Sequence, residues 1–547
     1  MHAFLITTLA AGAAKHAAAD LTERAKLARD TARAVADAAA DWAEAAVGIK
    51  QATGRGSEQS VLAEELATGP LGTLRLLLLT ARSLADIAET GLPRLPAPPR
   101  ITHDERGGDR ASLVEIDVLP ARGLWDGAIA GGQRVTVRCT NPGSVDAFLR
   151  TWQRECDERP RSGGVAAVLG AGNVSGLAVA DAICQIFEHG RAALVKLHPV
   201  QEPLAPVLRR AVAPLVEAGL VGFVVGGPDV AREAVADAAV THVHLTGGRA
   251  AFDAVAGSTT KPLTCELGNV TPWFIVPGRY TSAQLRLQAD SIAASIANNT
   301  SFNCIATKLV VTCREWGQRE EFLGLVRRRL ESLPARSAWF PGSATMWEQI
   351  AGHRPPADGT LPWVFRTGID PAGPEPLLKQ EWFVPVAGEV TISAADIETF
   401  CGRAAALARD LPGSLAASVT IPSQLSTRDA ARVELLLEHL RFGVVGVNCW
   451  AALAYALGGV PWGGFPGATL ADPRSGIGFV HDPLMLPLVH NSILRGPLGS
   501  PFTPPWFPWH SRAARLAQGV IDMYGAIARG RSGLWHLLRM LPDVVLG

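Results

Sequence analysis

The sequence predicts an α/β protein with a parallel sheet followed by a second α/β region, and three observations predict it. Short apolar runs alternate with helical stretches from residue 165 onward, and a second alternation of the same kind runs from about Pro272 to Gly458. The ends of the apolar runs hold polar or glycine residues in succession, which is where ligands bind in open parallel sheets. With 547 residues the chain exceeds what one core can bury, so two or three domains are expected. Hydrophobic residues at 48% against 19% charged allow a large interior and exclude a disordered chain. Lys+Arg and Asp+Glu both number 51, and the basic residues are scattered, so no electrostatic footprint for nucleic acid exists.

Taken in order, residues 1–93 are rich in Ala, Leu, Arg and Glu, and read as helices. The opening Phe4-Leu5-Ile6-Thr7-Thr8-Leu9-Ala10-Ala11 has the apolar core of a signal peptide. It lacks a basic segment and runs straight into helix formers, so it is read as the first helix, with secretion as the alternative. A long amphipathic pattern from Leu21 is broken at Gly54-Arg55-Gly56 and followed by a helical region over Val61–Thr90. Pro93, Pro96, Pro98 and Pro99 form an extended connector. Leu113–Val118 and Arg134–Arg138 then alternate as strands without a helix between them, predicting a hairpin that either pairs with another subunit or extends a local sheet.

Val165–Leu169, Ala192–Lys196, Val221–Val225 and Val243–Leu245 are strands, separated by helices over Leu177–Phe187, Leu204–Glu217 and Val230–Ala238. Their ends present Asn173, Lys196, Gly226-Gly227 and Thr246-Gly247-Gly248, the basic group and bare backbone that a dinucleotide needs. No GxGxxG is present. In the second region, a helix over Ser282–Ala297 leads to Asn298-Asn299-Thr300-Ser301-Phe302-Asn303-Cys304, just before the strand Leu309-Val310-Val311. A thiol in such a junction can be held by backbone amides as a nucleophile; alone, it reads more simply as a small buried hydrophobe.

The eight cysteines form no CxxC pair and no cluster with His, so neither zinc nor a disulfide framework is expected and a reducing, cytoplasmic setting is the default. No apolar run approaches 20 residues, so no spanning helix is predicted. From Gly499 the tail is Pro/aromatic, with Trp506, Phe507 and Trp509, then basic and amphipathic over Arg512–Met540. That mix reads first as a helix packed on the body or on a partner subunit, with peripheral contact with a membrane as the second reading.

The order of these features is more specific than any one of them. Asn173, Lys196, Thr246-Gly247, Glu266-Leu267-Gly268-Asn269, Asn303-Cys304-Ile305-Ala306, Glu381-Trp382-Phe383-Val384-Pro385-Val386, Asn448 and Pro461-Trp462-Gly463-Gly464 follow one another. This resembles the aldehyde dehydrogenase superfamily over roughly residues 20–490. The resemblance implies that Cys304 attacks an aldehyde as thiolate, that Asn173 and the Cys304 N–H hold the oxyanion, and that Glu266 activates the water that hydrolyses the thioester. It implies an NAD or NADP site at Lys196, Thr246, Gly247, Gly248, Glu381 and Phe383, and a homodimer or tetramer.

It further implies a Rossmann-like cofactor domain (1–111 and 160–265, with 459–481), an α/β catalytic domain (266–458), a small oligomerisation hairpin (112–159 with 482–498) and a C-terminal extension (499–547). The substrate class is an aldehyde, and an aliphatic or long-chain one if the tail meets lipid. The sequence departs from the family at Lys196-Leu197-His198-Pro199, where the acidic residue for an NAD ribose is missing and NADP is left open. Further departures are Phe252 in place of Gly, Phe302-Asn303 before the cysteine, Val384 before Pro385, and Gly-Ala-Gly before Asn173. Two other readings stand beside the hydrolytic one: a CoA-acylating dehydrogenase or acyl-thioester reductase, against which Glu266 argues, and a non-catalytic homologue acting as a scaffold.

Overall fold

A computed structural model describes residues 2–51, 55–102, 112–161 and 163–547. Along the chain, β1 (Arg100–Thr102), β2 (Leu113–Leu119) and β3 (Arg134–Thr140) form an antiparallel arm. Alternation buries Val114, Ile116 and Val118 of β2 and Val135, Val137 and Cys139 of β3, as a one-sided sheet requires. Then come β4 (Val165–Leu169), β5 (Ala192–Lys196), β6 (Val221–Val224), β7 (Val240–Thr246) and β8 (Leu263–Glu266). They pair in parallel in the order β8-β7-β4-β5-β6, with helices between successive strands, so each crossover is a βαβ unit. Strand order reverses between β4 and β7, which opens a crevice at their carboxyl ends.

β9 (Pro272–Ile275) and β10 (Leu309–Cys313) begin the second sheet. A two-residue ladder, β11 (Arg336–Ser337) with β12 (Thr360–Leu361), precedes β13 (Val364–Ile369), β14 (Val386–Ile392), β15 (Ala416–Thr420) and β16 (Val444–Val447). β17 (Gly476–Ile477) crosses back to pair with β8, and β18 (Val489–Arg495) closes the strand series. The large sheet runs β1-β2-β3-β18-β16-β15-β9-β10-β14-β13, parallel from β18 through β13. Of the two readings of the hairpin, pairing with another subunit or extending a local sheet, the second is present: β3 pairs with β18, which pairs with β16.

The helical opening is as expected except at one point. Asp20 caps the helix Leu21–Ile49 by accepting the Glu23 N–H at 2.8 Å. The region read as one helix over Val61–Thr90 is interrupted by a π turn at Ala67–Leu71. Pro70 has no N–H to donate there, and Gly69 lies where a Cβ would come within 2.8 Å of Ser175 Oγ. The first helix, His2–Ala18, lies on β4, β5 and β6, and no helix among the described residues is long and apolar enough to cross a membrane.

In the tail, the helix Ala513–Ala528 packs on the helices Leu21–Ile49 and Arg55–Leu66. Its buried Tyr524 meets Arg75, whose guanidinium also donates two hydrogen bonds to Asp126, at 2.6 and 2.8 Å. The last helix, Leu534–Val545, leans on Ala513–Ala528 and leaves Leu534, Trp535, Leu538, Leu541 and Val545 exposed.

Candidate active site

Cys304 stands between the two sheets, and the backbone before it is bent into an unusual shape. Asn299, Thr300 and Ser301 follow one another with φ of 52°, 56° and 62°, all buried. Three consecutive non-glycine residues in the left-handed region are strained, and such strain persists only where surrounding contacts fix it. Here Lys308 Nζ donates to Ser301 Oγ at 2.7 Å and to the Val384 carbonyl at 2.9 Å. The Asn299 amide donates at 2.8 Å to the carbonyls of both Asn173 and Phe302, and Lys50 donates to Asn299 Oδ1. The loop beyond is anchored by Thr271, whose hydroxyl donates to the Cys304 carbonyl at 3.1 Å, and by Trp450, whose indole donates to the Ile305 carbonyl at 2.7 Å.

Glu266 is the last residue of β8. The segment after it passes from one sheet to the other, tied by Asn269 Nδ2 donating to the Ala416 carbonyl at 2.8 Å. The Cys304 thiol donates to Glu266 Oε1 at 3.6 Å. Burial, reinforced by the Asp181 charge, raises the Glu266 pKa from 4.5 to about 7, while the Trp462 indole partly opposes the rise. Burial likewise pushes the Cys304 thiol well above its ordinary value, with the Glu266 and Glu381 charges adding to it and its own backbone N–H opposing. At neutral pH the thiol thus keeps its proton, with a half-ionised carboxylate positioned to take it.

Asn173 is buried one turn beyond β4, and its amide donates one proton to the Phe302 carbonyl at 3.2 Å. A carboxamide has two N–H bonds, so this contact orients the group and leaves a second donor. At the β4 end, Gly172 lets the backbone come so close to His198 that a Cβ would sit 2.4 Å from its ring.

Lys196 ends β5; burial lowers its pKa and Glu202 pulls it back up. Glu202 is a carboxylate the motif comparison missed: it lies six residues on, and accepts the Gly226 N–H at 2.7 Å. Thr246 ends β7 and donates its hydroxyl to Asp181 at 2.9 Å, while Gly247 and Gly248 turn into the helix Arg249–Ala256. Phe252, the departure from Gly, is buried among Val243, Leu245 and Leu267, where it fills a small core of its own.

Glu381 is packed over Gly268, with its Oε1 buried and unpartnered among the described residues. Burial raises the Glu381 pKa, and burial lowers that of Lys308 beside it. Phe383 stacks on Phe302 with ring centres 6.1 Å apart and meets Phe340 at 5.2 Å, and Phe340 in turn stacks on His198 at 6.0 Å. Phe302 thereby joins the cysteine loop to the β5 end, which explains a phenylalanine at that position.

Of the sequence-predicted residues, Cys304 and Glu266 meet directly and Asn173 and Phe383 meet at Phe302, while Lys196, Thr246, Gly247 and Gly248 follow one another at the ends of β5 and β7. Sequence reasoning assigned no role to Asp181, His244, His481, Glu202 or Lys308. The alternation of His242, His244 and Thr246 along one strand was the signal available for the first group. Elsewhere the fold gathers Cys184, Glu188 and His189, with their donor atoms within 4.8 Å of one another. The Arg159 guanidinium lies 3.6 Å from Glu188 and supplies a positive charge there already.

Residues 146–344 match the model of the aldehyde dehydrogenase family. No curated protein sequence matches the chain. Solved structures share its fold. NADP-dependent glyceraldehyde-3-phosphate dehydrogenase from Bacillus halodurans, complexed with NADP, superposes with a TM-score of 0.60 at 15% identity, covering 90% of each chain. A putative methylmalonate-semialdehyde dehydrogenase from Sinorhizobium meliloti, complexed with NAD, gives 0.59 at 15% identity, covering 90% of this chain and 89% of that one. The aldehyde dehydrogenase KauB from Pseudomonas aeruginosa gives 0.57 at 17% identity, covering 88% and 86%.

Proposed function

We propose that this chain, whose residues 146–344 match the aldehyde dehydrogenase family and whose fold is shared with solved aldehyde dehydrogenases, oxidises an aldehyde to a carboxylic acid with NAD or NADP. The single observation behind this reading is the Cys304 thiol 3.6 Å from a Glu266 carboxyl whose pKa lies near 7, at the junction of the two sheets. Glu266 takes the thiol proton, and the thiolate adds to the aldehyde carbonyl as a thiohemiacetal. The free N–H of Asn173 and the Cys304 amide face the oxygen on which charge develops. When bound, the nicotinamide supplies the hydride acceptor that turns the thiohemiacetal into a thioester. Once it has given up the thiol proton to solvent, Glu266 deprotonates a water that attacks that thioester, releasing the acid and the Cys304 thiolate.

The residues at the strand ends fit a dinucleotide. Gly247 and Gly248 give bare backbone beside the crevice, Lys196 gives an ammonium for the adenine-side ribose, and the orphaned Glu381 Oε1 is an acceptor for a ribose hydroxyl. Phe383 supplies an apolar wall on the nicotinamide side. Glu202 beside Lys196 restores the acidic group missing from the motif and favours NAD, because a carboxylate repels a 2′-phosphate. Aliphatic aldehydes of increasing chain length, assayed in parallel with NAD and NADP, test this. NAD(P)H and free acid are expected, faster with NAD; a chain that forms neither, with no cofactor binding by calorimetry, contradicts the reading. Acyl-CoA in place of acid when CoA is supplied would move the activity to the acylating class.

The tail adds a partner. The exposed residues Leu534, Trp535, Leu538, Leu541 and Val545 lie along one face of the last helix, beside exposed Arg531 and Arg539. An apolar ridge next to arginines suits an anionic bilayer surface. The protein is expected to co-sediment with phosphatidylserine-containing vesicles, and the double variant Leu538→Glu/Leu541→Glu to stay in the supernatant. Equal behaviour of the two proteins contradicts membrane contact.

A further inference from the structure

Four aromatic rings form a continuous layer from the β4 end of one sheet to the approach of β14 in the other. His198 lies against the β4 end, where Gly172 leaves it room. Phe340 stacks on His198 with ring centres 6.0 Å apart, and meets Phe383 at 5.2 Å and Phe302 at 5.7 Å. His198 is two residues beyond Lys196, and Phe383 is two beyond Glu381. The Phe340 ring therefore touches both banks of the crevice, over the interval that a dinucleotide reaching from Lys196 to Glu381 has to cross.

That interval has no room for a further layer. Two ring faces must stand roughly 7 Å apart, twice a van der Waals contact, before a third flat group fits between them. Every ring-to-ring distance from Phe340 is shorter. Nor do the rings offer a charge to a diphosphate. Burial first, and then the Lys196 ammonium, lower the His198 pKa and keep its ring neutral, with Glu202 opposing. His198 Nδ1 already accepts the Val200 N–H at 3.2 Å.

Phe340 is held differently from its neighbours. Phe302 is fully buried and Phe383 leads into β14, whereas Phe340 is half-buried on a short segment between β11 and the helix Ser343–Ala351. Both ends of that segment are fixed: Arg336 of β11 pairs with Glu64 at 2.9 Å, and Ser343 is buried. Between them, among the described residues, one backbone bond ties the segment to the rest of the chain, from the Ala338 N–H to the Gly359 carbonyl at 3.0 Å. Trp339 meets Phe302 edge-on and lies under Lys50 Nζ at 5.1 Å. Pro341 and Gly342 are exposed, and Gly342 has a φ of 75° with open space where a Cβ would stand. A glycine in the left-handed region, at the start of a helix and free of neighbours, is a joint at which the chain turns without steric cost.

We propose that Phe340 is a gate on the cofactor crevice: its ring closes the crevice in the free protein, and the segment Ala338–Gly342 swings outward about Gly342 to admit NAD or NADP. The gate rests on the cofactor site proposed above. A cofactor that binds only the open form has its apparent affinity reduced by the fraction of molecules that are open. Removing the ring should therefore raise both the affinity and the rate of entry, whereas a ring that stacked on the bound cofactor would do the opposite when removed.

The test uses the full chain with NADH and NADPH as probes, calorimetry for affinity and stopped-flow quenching of tryptophan fluorescence for entry. In the wild type the observed rate should level off as cofactor is raised, because opening limits it. Phe340→Ala should bind about tenfold tighter or more, with a rate that keeps rising linearly. Phe340→Leu should fall between the two, and it carries the test if melting curves show that Phe340→Ala does not fold. Unchanged or weaker cofactor binding by the folded variants would overturn the gate and leave the cofactor site standing. Absence of binding in the wild type and in both variants would overturn the cofactor site, and the gate with it.

Discussion

Cys304→Ala is expected to lower NAD(P)H formation by roughly 10⁴-fold or more with every aldehyde the wild type oxidises, the scale on which loss of a nucleophile is felt. The substitution removes one sulfur from a partly exposed position in a loop held by Thr271 and Trp450, so the melting temperature should stay close to that of the wild type. The other seven cysteines are buried, and none lies in this loop to substitute for it. Steady-state fluorescence of NAD(P)H, with cofactor binding measured on the same preparation, checks the outcome. Substantial residual oxidation by a variant that still binds cofactor would place the chemistry elsewhere.

The second large effect belongs to Glu266. A general base works only when ionised, and burial together with Asp181 raises the pKa of this one to about 7. The sign follows directly: thioester hydrolysis should climb about tenfold per pH unit below pH 7 and level off above it. Glu266→Gln keeps the shape of the side chain and removes the base. Its hydrolysis should fall by about 10²–10⁴-fold and lose the rising limb, whereas the first hydride transfer falls less. Stopped-flow traces across pH separate the two steps. A variant that keeps the limb near pH 7 would show that another group titrates there.

The alternation of apolar runs with helices was enough to indicate the parallel cofactor-side sheet and a second α/β region, because buried parallel strands are short, continuous and apolar in any context. The positions of Cys304, Glu266 and Asn173 were legible through the order of their motifs, which resembles that of the aldehyde dehydrogenase superfamily; in the fold Asn173 follows β4, Glu266 ends β8 and Cys304 precedes β10. Contacts between residues distant in sequence were not legible. Tyr524 meets Arg75 across 449 positions, and β3 pairs with β18, so the hairpin extends its own sheet; local pattern carries no such register. Thr300 at φ 56° runs against the preference of a β-branched residue and could not be read from propensity. The histidines of β7 were visible at every second position, yet a strand pattern with apolar neighbours conceals which face is polar and what that face meets.

The proposed reaction passes through a thioester on Cys304 that Glu266 opens. Intact-mass spectrometry of Glu266→Gln, mixed with an aldehyde and NAD(P), tests it most directly. An added mass equal to the acyl group is expected, mapped to the peptide containing Cys304, appearing with one equivalent of NAD(P)H and absent in Cys304→Ala/Glu266→Gln. NAD(P)H formed with no acyl group on Cys304, or an acyl group mapped to another residue, would contradict it.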